Sequence, residues 1–121
     1  MKICVTAQAT TLDAQVDPRF GRCLYFIIVD SDTRAFEAFA NPAPAGGGGA
    51  GIEAGRFISE KKADVVLTGN VGPNAFQTLS AAGITVITKV SGTVSEALER
   101  YRKGEYSPTA AASVDAHAGM Q

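Results

Sequence analysis

Asp64-Val-Val-Leu67, followed at once by Thr68-Gly-Asn-Val-Gly-Pro73 and Asn74-Ala-Phe76, is the stretch that decides the fold. A short continuous apolar run bounded by turn residues reads as a strand buried on both faces, as in a parallel sheet. Gly72-Pro73 then opens a helix, because proline has no N–H to lose in the first turn and its fixed φ suits the helix. Ala75, Phe76, Leu79 and Ala82 form the apolar stripe of that helix, and Gly83 stops it. Strand, glycine-bearing loop and helix together make one unit of an α/β sheet covered by helices.

Downstream, residues 84–87 form a fifth strand. Thr93-x-x-Glu96 is a capping box, and Val94, Ala97, Leu98 and Tyr101 follow at i, i+3, i+4 and i+7, predicting a helix that Gly104 ends. Upstream, residues 51–61 read as a helix. It is preceded by a loop over 41–49 that carries two prolines and four glycines. Residues 2–7 read as the first strand and residues 24–29, rich in β-branched and aromatic side chains, as the second. Asp30-Ser-Asp-Thr33 turns the chain into a third strand over 34–40, antiparallel to the second. Residues 8–22 are polar and irregular. The order β-β-β-α-β-α-β-α predicts an α/β domain with a five-stranded mixed sheet, parallel where a helix crosses over. It spans residues 1–106, and residues 107–121, small and polar, read as a flexible C-terminal tail.

The chain has 121 residues, enough for one domain with a core of its own. A net charge of −1 gives no reason to expect nucleic acid or a membrane surface as partner. There is no long apolar span, and Met1-Lys2-Ile3-Cys4-Val5 reads as a strand with no signal-peptide pattern, so the expected location is the cytoplasm. Cys4 and Cys23 are not in a C-x-x-C pair, and His117 is the one histidine. A conventional His/Cys metal cage cannot be built from that inventory.

A ligand in an open α/β sheet sits beyond the carboxyl ends of the parallel strands. Three segments should converge there: the glycine loop over 46–51, Thr68-Gly-Asn-Val-Gly-Pro73, and Ser91-Gly-Thr93. Each stands at a helix N-terminus, where unpaired N–H groups and the helix dipole favour an anion. If the first strand runs parallel to the fourth, its exit joins the same rim, and Arg19-Phe-Gly-Arg22 closes over it with two guanidinium forks. The candidate binding residues are therefore Arg19, Phe20, Gly21, Arg22, Gly49, Gly51, Gly69, Asn70, Gly72, Gly92 and Thr93. The same features also suit an ordinary loop with solvated arginines and three ordinary helix starts. Gly46-x-Gly48-x-x-Gly51 matches a dinucleotide fingerprint only trivially, no Walker A sequence is present, and no serine has a histidine placed for a triad. The chain lacks a convincing catalytic set.

Val16-Asp-Pro-Arg-Phe-Gly-Arg22 with Tyr25-Phe26, Gly49-Ala-Gly-Ile52, the stretch from Asp64 to Phe76, Ala82-Gly-Ile84 and Gly92-Thr-Val-Ser-Glu-Ala-Leu98 stand in an order that resembles the dinitrogenase iron–molybdenum cofactor biosynthesis family, over residues 1–106. The resemblance implies a ribonuclease H-like three-layer α/β/α fold. It also implies a small, non-enzymatic carrier or scaffold for a metal–sulfur cluster, molybdenum with iron or copper. Cofactor-assembly or redox proteins are the implied partners. The family includes nitrogenase cofactor carriers and the orange protein. A sulfido-metal cluster is a polyanion, which N–H groups and arginines can hold without covalent ligands. Soft ligands would add direct bonds, with Cys23 and His117 as candidates and Cys4, inside a strand, a weaker one. The alternatives are a partner-binding regulatory domain without a cluster, and an enzyme acting on a nucleotide or phosphate metabolite.

Overall fold

The computed structural model describes residues 1–42, 49–110 and 112. The elements are β1 (Lys2–Ala7), β2 (Tyr25–Asp30), β3 (Phe36–Ala40), α1 (Ala50–Glu60), β4 (Val65–Leu67), α2 (Pro73–Ala81), β5 (Thr85–Ile87) and α3 (Val94–Arg102). The five strands form one sheet in the order β3-β2-β1-β4-β5. β1 is antiparallel to β2 and β2 to β3, whereas β1, β4 and β5 run parallel. This is the expected mixed sheet, with the helices on both faces and the strand order of a ribonuclease H-like fold.

Alternation along the strands divides the apolar side chains between two cores. Cys4, Phe26, Ile28, Val66 and Val86 face α1 and α2, which contribute Ala54, Ile58, Ala75 and Leu79. Ile3, Val5, Ile27, Val29, Val65, Leu67 and Ile87 face the other way, against Val94 and Ala97 of α3. Ala14 and Val16 join that second core. The polar segment over 8–22 is therefore irregular but closely packed, with Ala7 bridged to Val16 and Gln15 to Thr93.

Element boundaries shift by a residue or two from the expected ones. The largest shift is at β3, which starts at Phe36 rather than at Arg34. Arg34 adopts a left-handed φ of 65°, and the turn closes with Asp30 N–H donating to the Ala35 carbonyl at 2.9 Å. The Asp30 carboxylate accepts from the N–H groups of Asp32 and Thr33. In α2, Ala82 is exposed beyond the helix end, so the working stripe is Ala75 and Leu79 with Phe76 half-buried.

The chain past residue 106 is not wholly free. Thr109 N–H donates to the Val86 carbonyl at 2.7 Å, and its hydroxyl accepts from Thr88 N–H at 3.1 Å. Thr109 thus covers the outer edge of β5. His117 and most of the expected tail lie outside the described residues. No described helix is long and apolar enough to cross a membrane.

Candidate ligand rim at the carboxyl ends of the parallel strands

β1, β4 and β5 end on one rim because they are parallel, and β3, two antiparallel steps from β1, points its carboxyl end the same way. The loops leaving these strands are stitched together by backbone. Asn70 N–H donates to the Pro18 carbonyl at 2.7 Å, and Phe20 N–H to the Asn70 carbonyl at 3.2 Å. Lys89 N–H donates to the Gly69 carbonyl at 2.8 Å, and Val16 N–H to the Gly92 carbonyl at 2.9 Å. Beneath them the buried Thr6 hydroxyl donates to the Asp17 carbonyl at 2.6 Å and lies 2.9 Å from the Thr68 hydroxyl.

Two contacts explain why glycine is required in these loops. A Cβ on Gly69 would stand 2.6 Å from Pro18 Cα and 2.8 Å from its carbonyl oxygen. A Cβ on Gly21 would stand 3.0 Å from both the nitrogen and Cα of Gly51. The Arg19–Arg22 segment therefore lies directly on the α1 start and on the loop before α2. Asp17, 1 % exposed, aims it: one carboxylate oxygen accepts from Arg19 N–H at 3.0 Å and from Arg19 Nε at 3.4 Å. The Arg19 side chain remains 51 % exposed, so its terminal nitrogens are free to meet an anion. Arg22 is half-buried beside it in sequence. Asn41 ties the segment from below, donating from Nδ2 to the carbonyls of Gly21 and Cys23.

The three helix starts are not equivalent. Neither Gly49 before α1 nor Gly72 before α2 supplies a side-chain cap. Among the described residues the N–H groups of Gly51, Ile52, Asn74 and Ala75 meet no acceptor. The start of α3 is saturated. Thr93 and Glu96 form the full capping box, Val94 N–H donates to the Ala14 carbonyl, and Ser95 N–H to the Leu12 carbonyl. The Glu96 carboxylate already occupies the place an anion would take, and Thr93 N–H holds its pKa below the ordinary range. Gly92 and Thr93 therefore serve the loop and the cap, and no open N–H set remains there.

Burial divides the remaining candidates. Gly21, Arg22, Gly49, Gly51 and Gly72 are half-buried and Asn70 is exposed, but Phe20 is 1 % exposed and sits in the core, its ring 5.7 Å from that of Phe26. Cys4 and Cys23 are both fully buried. Burial pushes each thiol well above its ordinary pKa, and for Cys23 the neighbouring Cys4 and Asp17 push the same way. A neutral, sealed thiol is a poor metal ligand, since the thiolate is the binding form. Cys23 is a core side chain. Among the described residues no group of three His, Cys, Asp or Glu is placed to hold a metal ion.

A family model described as dinitrogenase iron-molybdenum cofactor matches residues 1–104. The chain belongs to this family. The apo form of the orange protein from Desulfovibrio gigas superposes with a TM-score of 0.91 at 42% identity, over 93% of this chain and 96% of that one. A NifB-like protein from Thermotoga superposes with a TM-score of 0.76 at 30% identity, over 88% and 91%. An uncharacterised protein of Methanocaldococcus jannaschii is 26% identical over 94 residues, 75% of this chain and 80% of its own length. Within this dinitrogenase iron–molybdenum cofactor domain, sequence reasoning missed the supporting layer of Thr6, Thr68 and Asn41, and it quoted Asp17 without giving it a task. Asp17 had a usable signal: an acid two residues before an arginine, ahead of proline, is an Asx turn. Thr6 and Thr68 had none, because only the parallel register of β1 and β4 brings them together.

Proposed function

We propose that this domain is a small carrier or scaffold that holds an anionic metal–sulfur cluster, molybdenum with iron or copper, and catalyses no reaction itself. The observation that carries the reading is that the Arg19–Arg22 segment lies against two uncapped helix starts, above a core in which both described thiols are sealed. Membership of the dinitrogenase iron–molybdenum cofactor family supports it. The high similarity to the orange protein of Desulfovibrio gigas supports it as well.

The physical argument is one of charge and reach. N–H groups of α1 and α2 and the positive ends of their dipoles attract negative charge without bonding to it covalently. Guanidinium forks add directed donors to sulfide or oxide edges. Binding of this kind is reversible, which suits a cargo that must be handed to a cofactor-assembly or redox partner. Anaerobic purification from the native host, followed by a visible spectrum and elemental analysis, tests the reading. Charge-transfer bands with stoichiometric molybdenum and sulfide are expected. A colourless, metal-free protein that also resists anaerobic loading would overturn it.

A further inference from the structure

The sheet has two outer edges, and among the described residues only that of β5 meets a further backbone partner, Thr109. The inner edge of β3 is fixed by Asp30 N–H to the Ala35 carbonyl and Asn41 N–H to the Leu24 carbonyl. Antiparallel pairs alternate between bonded and non-bonded. With the register Ile28 to Glu37 and Phe26 to Phe39, residues 35, 37, 39 and 41 therefore bond β2. The N–H and C=O groups of Phe36, Ala38 and Ala40 point out of the sheet and make no bond beyond it among the described residues. Phe36 is 41 % exposed.

We infer that this edge pairs with the β3 of a second copy about a two-fold axis at Ala38. A two-fold contact is self-complementary by construction, so the register must satisfy the strand against itself. Phe36 then faces the partner's Ala40 and Ala38 the partner's Ala38, which engages every outward group. On that face small alanines leave room for the two phenylalanine rings. On the other face Glu37 falls opposite the partner's Phe39. Lys61 Nζ sits 4.5 Å from the Phe39 ring centroid, so each Glu37 meets the partner subunit's Lys61. The neighbouring registers fail on charge. Moving the axis to residue 37 sets Glu37 against Glu37, and moving it to residue 39 brings the two Lys61 groups together. Like charges directly opposite are destabilising. A groove of about 310 Å³ on the sheet face next to this edge is lined by Glu37, Phe39 and Lys61, with Lys2, Ile28 and Asp30 on its inner side, and gives these side chains room to meet. The result is a continuous sheet across two copies.

Sedimentation of the full chain with charge-reversal variants tests the pairing. The wild type is expected to be a dimer. Glu37→Lys or Lys61→Glu alone should weaken association by roughly tenfold or more, and Glu37→Lys with Lys61→Glu should restore it. Circular dichroism reports whether each variant keeps its fold, and Glu37→Gln, a milder change on an exposed side chain, should weaken association less than Glu37→Lys. A wild type that stays monomeric overturns the inference. So does a dimer that both single reversals leave intact, or a folded double variant that stays dissociated.

Discussion

The starts of α2 and α3 begin from similar sequence, a glycine stepping into a helix on the same rim, and end in opposite chemical states. Before α2, Gly72 offers no cap and Pro73 has no N–H, so Asn74 and Ala75 present bare donors to whatever lies above. Before α3, Thr93 and Glu96 close the helix on itself and two loop carbonyls take the next N–H groups. A helix start is an anion site only when the protein has not already supplied the anion. In this chain the Thr93–Glu96 box and the carbonyls of Leu12 and Ala14 together make that difference.

The comparison breaks most severely at Gly69. Gly69→Ala forces a methyl group against Pro18 and should cost about 1–3 kcal/mol, the range for overpacking a tight contact. Thermal unfolding checks this, and an unchanged midpoint would mean that Pro18 and the segment carrying Arg19 are not held against the loop before α2. A smaller effect is expected at the other start. Thr93→Ala removes the cap of α3, costing about 1 kcal/mol, yet should leave cluster retention unchanged because that start takes no cargo. The part due to Glu96 depends on pH with a definite sign. Its pKa is lowered in the fold from an ordinary value of 4.5, so its contribution is present above that value and is lost as pH falls through the lower folded value. Denaturant titrations of wild type and Glu96→Gln should converge in acid, because Glu96→Gln removes the carboxylate that accepts from Thr93 N–H. A gap that widens there would contradict the assignment.

Much of the fold was legible because its signals are local. Pro73 at a helix start, the Thr93–Glu96 box and the apolar run before Thr68 each act within a turn of the chain, and all three elements appear where expected. The third strand was read too long because nothing in Arg34 announces a left-handed turn residue; the Asp30 carboxylate and the hairpin closure impose it. The site was legible as a place but not as a set of roles. Arg19 stands half-exposed at the rim, whereas Phe20 and Cys23 of the same segment turn inward to the core. That choice is made by the local Asx turn of Asp17 together with Asn41 and the facing loops, and only the last two are contacts between residues distant in sequence.

The central claim is that the rim holds its cargo by N–H groups and guanidinium rather than by thiolate. The direct test is anaerobic loading with a molybdenum sulfide cluster, followed by metal analysis after gel filtration, on Arg19→Ala/Arg22→Ala and on Cys4→Ala/Cys23→Ala. The account predicts that the arginine variant loses most of its molybdenum while the folded cysteine variant retains a wild-type amount. Retention by the arginine variant together with loss from the cysteine variant would contradict it.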